Sequence, residues 1–343
     1  MQPFEWVSAR SEIEAAKAGA TTVAAAMVVP SSDRAADDAV IVKGGGIDLL
    51  DLMKEGLLQP RRIVNLRGIV GLNRIVEDKD GTLRIGALAT LAQVSQHPLI
   101  RQRYTALADA TQSSASPQIR NVATLGGNLL QRPQCWYFRS EHHHCTRKGG
   151  AVCFAFGGEN QYHAIFDQNG CAIVHPSTAA TALVALGATV ELVNGEGSRR
   201  TVLLENFYLR PDQNIHREND LKPGEVLSAV LMPKLATGTR SVHLKQGQKD
   251  SFDWPLADVA VSLACDANGL CEKASVVLGA AAPVPYRAKA AETVLLGKRL
   301  QELIARDAAR AALTGATPLS KNAYKLPMFE ALVRRAIVAA ARA

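Results

Sequence analysis

A glycine triplet separates two apolar segments in "AVIVKGGGIDLLDLMKEG". Residues Val40 to Lys43 have the pattern of a buried β-strand, and the leucines and methionine after the triplet recur at helical spacing. A strand, a glycine turn and a helix in this order present backbone N–H groups to a bound phosphate. The triplet matches neither the dinucleotide-binding fingerprint nor the P-loop, so an ordinary tight turn also accounts for it.

A second glycine pair occurs in "SSASPQIRNVATLGGNLL", where Gly126 and Gly127 precede Asn128. Small residues and a forked amide suit a place where the backbone approaches a ligand closely. Two such loops, each beside its own apolar segment, predict two walls of one extended ligand site. Two crowded turns without a ligand are the alternative.

Four of the six cysteines crowd into one region, at positions 135, 145, 153 and 171. They contain no Cys-x-x-Cys knuckle, so the usual structural zinc pattern is absent. A disulfide framework is not expected, because a core of this size needs no staples and "MQPFEWVSAR" has no apolar signal-peptide region. Spacing alone leaves an iron–sulfur cluster, zinc and free thiols open. The other two cysteines, Cys265 and Cys271, lie in strand-like surroundings and are predicted to be buried small hydrophobic residues.

Local signals along the chain predict an α+β protein. Alternating residues on both sides of Asp80-Gly81 predict a hairpin, and Thr90 is the expected N-cap of the helix that follows. Further on, Ser177 or Thr178 is the expected cap of a helix that ends at Gly187. A turn at residues 194–197 then joins two more strands.

A change to linker-type composition at residues 233–238 predicts a domain boundary. The segments "SVHLKQGQ", "WPLADVAVSLAC" and "KASVVLGA" alternate as strands, and three helical segments follow them. This order predicts a C-terminal α+β domain with an antiparallel sheet and helices on one face. The last helix has apolar residues at helical spacing: Phe329, Leu332, Val333, Ala336, Ile337 and Ala340.

Composition excludes two classes of protein. The net charge of +7 is scattered, and aromatic residues make up only 5% of the chain, so the basic stripe with interleaved aromatics of a nucleic-acid-binding protein is absent. The apolar tracts are shorter than the ~20 residues that a membrane-spanning helix needs. We therefore expect neither nucleic acid nor a membrane span.

The order of several segments resembles that of the FAD-binding subunits of molybdenum hydroxylases, the xanthine dehydrogenase and aldehyde oxidoreductase family. These segments are "VKGGGIDLLDLMK", "ATLGGNLLQRPQC", "HPSTAATALVALGATVEL" and "PGEVLSAVLMP". The resemblance implies a PCMH-type FAD-binding domain, similar to vanillyl-alcohol oxidase, over residues 1–234. Its small lobe is expected at about 1–66 and its larger lobe at about 67–234, followed by a C-terminal flavoprotein domain at 239–343.

The resemblance also implies a set of FAD contacts. The segment from Ile41 to Leu49 would wrap the pyrophosphate, Ile119 would pack on the isoalloxazine ring, and Lys245 would place a positive charge near the flavin. Ile47 and Thr178 depart from the family, which often has threonine and an acidic residue at these positions. The implied contacts are Ile41, Val42, Lys43, Gly44, Gly45, Gly46, Ile47, Asp48, Leu49, Ser114, Ala115, Ile119, Thr124, Gly127, Asn128, Thr178, Leu227 and Lys245.

Two aromatic residues in "SFDWPLADVA" have three interpretations. Phe252 and Trp254 belong to the core, cover the flavin ring by stacking, or contact a partner subunit.

The cysteine-rich insert, residues 131–172, narrows the resemblance to the flavin subunits of periplasmic-type aldehyde oxidoreductases. These are similar to the 4-hydroxybenzoyl-CoA reductase flavin subunit in carrying an extra 4Fe-4S cluster. The implied ligands are Cys135, Cys145, Cys153 and Cys171. Four thiolates complete the ligand set, so His142, His143 and His144 are expected in a solvated loop.

The resemblance implies an oxidoreductase subunit with no catalytic residue of its own. Substrate would be hydroxylated on a molybdopterin-binding large subunit, and electrons would cross a small subunit with two 2Fe-2S centres to FAD and an external acceptor. An aldehyde is the expected substrate of the complex, and a purine, as in xanthine dehydrogenase, is the alternative. Two other classes are a stand-alone flavin oxidase and a zinc-stabilised binding module. The expected location is the cytoplasm, or the periplasm by co-export with a signal-bearing partner.

Overall fold

The computed structural model describes residues 2–28, 39–249 and 251–342, and its first lobe is built on a small parallel sheet. The central strand of this sheet pairs in parallel with the two others, in the order β1-β3-β2. The predicted strand and helix around the glycine triplet are confirmed as β2 and α3, whereas β1 was not predicted. The elements are β1 (Glu5–Ser8), α1 (Glu12–Ala18), α2 (Val23–Val28), β2 (Val40–Lys43), α3 (Ile47–Lys54) and β3 (Arg62–Asn65).

The second lobe contains an antiparallel sheet of five strands in the order β4-β5-β8-β6-β7. The predicted hairpin is confirmed, with Gly81 in the left-handed region at its turn. Gly197 has the same conformation in the turn between the sixth and seventh strands. The strands are β4 (Ile75–Glu77), β5 (Leu83–Gly86), β6 (Thr189–Asn194), β7 (Arg199–Leu203) and β8 (Glu225–Met232).

Short helices cover the second sheet. Thr90 forms a capping box with Gln93, and the Ser177 hydroxyl accepts a hydrogen bond from the Ala180 N–H, so both predicted caps are confirmed. Pro98 is the first residue of the next helix, which begins shortly after α4 ends. The helices are α4 (Leu91–Gln96), α5 (Pro98–Arg103), α6 (Thr105–Gln112), α7 (Pro117–Arg120), α8 (Leu125–Leu129), α9 (Thr178–Ala185) and α10 (Leu204–Phe207).

The insert has little regular structure in the described residues. It contains a 3₁₀ turn at Thr146–Lys148 and an isolated parallel bridge between Cys145 and Val152. Phe138 is fully buried and packs with Leu52 of α3 in a shared core. The insert therefore rests directly on the helix that follows the glycine triplet.

The C-terminal domain has a four-stranded antiparallel sheet in the order β12-β11-β10-β9. The predicted apolar stripe of its last helix is confirmed, since all six residues are buried. The elements are β9 (Arg240–Gln246), β10 (Ala257–Cys265), β11 (Cys271–Gly279), β12 (Tyr286–Arg287), α11 (Lys289–Leu295), α12 (Glu302–Ala311) and α13 (Lys325–Arg342).

Two expectations about this sheet need correction. Helices cover both faces, because α6 and α9 of the second lobe pack against the face opposite α13. Ala260 and Val277 belong to the core of the second lobe, whereas Val259 and Val261 belong to the C-terminal core. In addition, Cys271 is buried as predicted, but the side chain of Cys265 at the end of β10 is exposed. Cys265 is the last residue of β10, at the point where Glu272 of β11 is bulged out of the pairing between the two strands.

Among the described residues, no helix combines the length and the apolar character needed to cross a bilayer.

A buried lysine fastens the insert to the C-terminal domain. Lys325 is fully buried, and its Nζ donates to the carbonyl oxygens of Tyr162 at 3.3 Å, His163 at 3.1 Å and Ala280 at 2.8 Å. Asn322 adds bonds to the carbonyls of His163 and Ala164. The insert is thus held from both sides, by α3 and by the start of α13.

Replacing Lys325 by methionine is expected to lower the free energy of unfolding by about 3 kcal/mol, because buried carbonyl oxygens would lose their donor. Urea denaturation followed by circular dichroism measures this loss. Lys321→Met is the matched control, since the exposed side chain of Lys321 forms an ion pair with Glu159 at the surface. We expect the control to change stability by less than ~0.5 kcal/mol. Equal losses in the two variants would contradict this assignment.

Candidate functional site

A cavity of about 530 Å³ lies where the two lobes and the C-terminal domain meet, and we call it the central cavity. Both glycine segments line it, so the predicted walls face one space. Every FAD contact implied by the resemblance lies on this lining, from Ile41–Leu49 in the first lobe to Lys245 on β9. The volume falls in the range of small-molecule and cofactor sites, ~300–1,000 Å³.

The first wall is the glycine turn between β2 and α3. The N–H groups of Gly44, Gly45 and Gly46 donate to no backbone carbonyl in the described part of the chain, and Gly46 has a φ of 88°. The positive end of the α3 dipole points to the same place. This arrangement suits an anionic group such as a phosphate.

The two walls touch at Gly45. A Cβ added there would overlap the carbonyl oxygen of Val122 and lie 3.2 Å from the Ala123 Cα. A Cβ at Gly44 would lie 3.0 Å from the Thr124 Oγ1. Glycine is therefore required for the first wall to pack against the second.

The second wall runs from the end of α6 to α8. Ala115 has a φ of 50°, which turns the chain sharply before α7. The Thr124 hydroxyl accepts a hydrogen bond from the Gly127 N–H at 3.1 Å, and Ser177 donates to the Asn128 Oδ1 at 2.6 Å. These bonds fix the position of the amide that faces the cavity.

The charged groups of Asp48 and Lys43 each form hydrogen bonds within the protein. The Asp48 carboxylate accepts from the Arg139 guanidinium at 2.5 Å and from the Arg132 backbone N–H at 2.9 Å, so it ties α3 to the insert. The Lys43 Nζ donates to the Gly44 carbonyl oxygen at 3.2 Å. Burial, together with the nearby Arg67, lowers the pKa of Lys43.

Lys245 anchors an aromatic segment, residues 251–255, over the cavity. Its Nζ donates to the carbonyl oxygens of Ser113 at 2.9 Å and Asp253 at 2.6 Å. Burial lowers the pKa of Lys245. Phe252 and Trp254 are 61% and 58% exposed and line the cavity, so they are not core residues. This leaves flavin stacking and a partner contact as their interpretations.

Sequence reasoning missed part of the lining. The loop before β8 forms one side of the cavity, and Thr21 to Ala24 add an edge in the first lobe. The missed loop residues are Arg217, Glu218, Asn219, Leu221 and Lys222. The missed segment "RENDLK" directly precedes "PGEVLSAVLMP", and it was missed because a short charged loop has no periodic apolar pattern. Arg132, which follows the second glycine segment, also lines the cavity.

The four cysteines of the insert lie close together, and we call them the cysteine site. The Cys153 thiol hydrogen-bonds to the Cys171 sulfur, which raises the pKa of Cys153 and lowers that of Cys171. Cys171 also acts electrostatically on Cys135 and Cys145, and burial raises the pKa values of these two thiols. Within residues 2–28, 39–249 and 251–342, no group of three or more Cys, His, Asp or Glu side chains has the arrangement of a formed metal site.

The histidines of the insert differ in their exposure and in their contacts. His142 and His144 are exposed, as expected, whereas His143 packs between the rings of Tyr137 and Phe154. His163, which sequence reasoning missed, has its Nε2 at 3.2 Å from the Cys135 Sγ. Burial, with a contribution from Lys325, lowers the pKa of His163 to about 4, so its ring is neutral at pH 7.

Two family models match the chain. The "FAD binding domain in molybdopterin dehydrogenase" matches residues 2–235, and the "CO dehydrogenase flavoprotein C-terminal domain" matches residues 242–340. The aldehyde oxidoreductase FAD-binding subunit PaoB of Escherichia coli (strain K12) is 36% identical over 253 residues, which cover 73% of this chain and 77% of PaoB. The carbon monoxide dehydrogenase medium chain of Hydrogenophaga pseudoflava is 27% identical over 300 residues, 86% of this chain and 87% of that one.

Solved structures share the fold over nearly the whole length. A chain of Cu,Mo-CO dehydrogenase has a TM-score of 0.74 at 23% identity, covering 100% of this chain and 99% of that chain. A chain of carbon monoxide dehydrogenase from Hydrogenophaga pseudoflava has a TM-score of 0.72 at 25% identity, covering 99% and 97%. These likenesses confirm the predicted α+β class with its FAD-binding domain of the PCMH type.

Proposed function

Since the chain belongs to the FAD-binding subunits of molybdenum hydroxylases, a family of oxidoreductases, we propose that it binds FAD in the central cavity and passes electrons from aldehyde hydroxylation to an external acceptor. The observation that carries this proposal is the meeting of two glycine walls on one cavity. An aldehyde is favoured because PaoB, an aldehyde oxidoreductase subunit, is 36% identical, whereas the putative xanthine dehydrogenase subunit XdhB is 27% identical.

The residues of the cavity fit FAD in size and chemistry. The N–H groups of the glycine turn have no backbone partner within the described ranges, and the turn lines the place where the pyrophosphate would lie. Ile119 and Leu227 offer an apolar surface for the isoalloxazine ring, and Thr178 offers a hydroxyl where the family often has a carboxylate. The missing hydroxyl at Ile47 is compensated by these backbone donors. FAD supplies one- and two-electron transfer, and Lys245 supplies a positive charge that favours the reduced flavin.

We further propose that the cysteine site binds a 4Fe-4S cluster. The support is the chemistry of the donor set: Cys135, Cys145 and Cys153 each lie within electrostatic range of Cys171, and the Arg147 guanidinium lies beside the Cys171 sulfur. When iron binds, Fe–S bonds from Cys153 and Cys171 would replace the hydrogen bond between these two side chains. His163 is placed to orient Cys135 and is not needed as a ligand.

The proposed partners are a molybdopterin-binding large subunit and a small subunit with two 2Fe-2S centres. Relatives named as FAD subunits or medium chains, such as the nicotinate dehydrogenase FAD-subunit of Eubacterium barkeri, support such an assembly. The central cavity would then receive electrons that originate on another chain. Location in the cytoplasm, or in the periplasm by co-export with a partner, remains part of this proposal.

Anaerobic purification of the native complex tests the proposed function. We expect one larger and one smaller chain to co-elute with this one, and we expect FAD to be bound to this chain. Addition of an aldehyde should reduce the flavin. A yellow protein without partners or iron would support a stand-alone flavin oxidase instead. A colourless protein that contains zinc would support the binding module, and reduction by a purine alone would favour the xanthine dehydrogenase type.

A further inference from the structure

Two arginines share one carboxylate in the wall between the central cavity and the cysteine site. The Arg132 Nη1 lies 2.5 Å from the Glu218 Oε2, and the Arg147 Nη1 lies 2.7 Å from the Glu218 Oε1. The side chains of Arg132, Glu218 and Arg147 are 3%, 5% and 1% exposed. Two guanidinium cations and one carboxylate leave one surplus positive charge, and we call this group the arginine pair.

Neither guanidinium forms an ion pair with a second carboxylate among the described residues, and Asp48 acts on Arg132 only at longer range. Arg132 also donates to the His216 carbonyl oxygen at 3.1 Å and stacks over the Phe138 ring at 4.9 Å, and neither of these partners is an anion. The Nε and Nη2 of Arg132 and the Nη2 of Arg147 are buried and have no hydrogen-bond partner in the described part of the chain. An uncompensated buried charge is strongly destabilising, so an anion is expected beside it.

The arginine pair reaches both candidate sites. Arg147 Nε donates to the Cys171 Sγ at 3.5 Å, while Arg132 and Glu218 line the central cavity. The only sulfur in contact with the pair, among the described residues, is thus an implied cluster ligand. The surplus charge therefore lies directly against the cysteine site.

We propose that the arginine pair stabilises the reduced form of the cluster at the cysteine site, and that Arg147 acts on this cluster through its contact with the Cys171 sulfur. This inference rests on the proposed 4Fe-4S cluster. Such a cluster with four thiolate ligands is an anion, and it gains one negative charge when it accepts one electron. A buried cation next to a ligand sulfur stabilises the reduced form more than the oxidised form, because water does not screen it. The result is a higher reduction potential.

A redox titration of the full-length chain, followed by electron paramagnetic resonance, tests the proposal. Dithionite supplies the electron, and flavin absorbance is recorded in parallel. In Arg147→Gln we expect the reduction potential of the cluster to fall by ~59 mV or more. This shift corresponds to a tenfold change in the equilibrium constant of a one-electron reduction. Arg147→Lys keeps the charge and is expected to stay near the wild type. Arg84→Gln breaks an ion pair with Glu191 on the five-stranded sheet and is the control.

A variant of opposite charge keeps the test decisive if Arg147→Gln loses its iron. Glu218→Gln removes the negative charge of the arginine pair, so the cluster potential is expected to rise. An unchanged cluster potential in Arg147→Gln, a fall in Glu218→Gln, or a shift confined to the flavin would overturn the proposal. Iron analysis of the wild type distinguishes failure of this proposal from failure of the cluster proposal. A wild type without iron would reject the cluster and the role of the arginine pair together, whereas the proposal of FAD binding would stand.

Discussion

Replacing Gly45 by alanine is expected to weaken FAD binding by about tenfold or more, the effect of ~1.4 kcal/mol of lost binding energy. The added Cβ would overlap the Val122 carbonyl oxygen, so the glycine turn would have to move away from the second wall. This movement would displace the backbone N–H groups that face the phosphate site. The FAD content per chain after gel filtration, and the Kd from flavin fluorescence, measure the loss.

Gly68→Ala is the matched control for this prediction. Gly68 has no positive φ, and a Cβ there would lie 3.6 Å from its nearest neighbour, the Ala9 carbonyl oxygen, which is an ordinary contact. Its FAD content is expected to equal that of the wild type. If Gly45→Ala kept its FAD with unchanged affinity, the glycine turn would not be the phosphate site.

Replacing Cys153 by serine is expected to remove most of the iron and acid-labile sulfide from the anaerobically purified chain. Three thiolates would remain, and a serine hydroxyl is a poorer ligand for a 4Fe-4S cluster than a thiolate. FAD should stay bound, because Cys153 does not line the central cavity. Colorimetric iron and sulfide assays, read beside the flavin absorbance, separate the two cofactors.

Cys265→Ser is the control for the cysteine prediction, because this side chain is exposed at the end of β10 and lies outside the insert. Its iron content is expected to match the wild type. A wild-type chain that contained zinc in place of iron, or a Cys153→Ser variant with its full iron content, would contradict the cluster.

Much of the fold and of the central cavity could be predicted from local signals. The triplet at Gly44–Gly46, the cap at Ser177 and the left-handed Gly187 are each determined by residues within one or two turns of chain. Family resemblance supplied further contacts of the lining, including Lys245, but not the residues of the first lobe and of the loop before β8 that were missed. That lysine carries no local signal, because a lysine on a strand is ordinarily a surface residue.

Other features depend on contacts that sequence spacing does not encode. Arg132 and Glu218 are 86 residues apart, and Arg147 and Glu218 are 71 apart, so their shared ion pair had no visible pattern. Cys265 is exposed at the last position of β10, where a bulge at Glu272 of β11 interrupts the pairing, and the alternation of β10 alone does not reveal this interruption. Both misses arise from tertiary packing that overrides local pattern.

Helices cover both faces of the four-stranded sheet in the described part of the chain, and this has a consequence for dividing the protein into separate domains. Ala260 and Val277 complete a core that is otherwise made by the second lobe, mainly through α6 and α9. A polypeptide severed near residue 238 would leave apolar helix surface in water on one fragment and a half-covered sheet on the other. The two halves therefore depend on each other for folding. Neither can be transferred to another protein unless a new partner surface covers its exposed apolar residues.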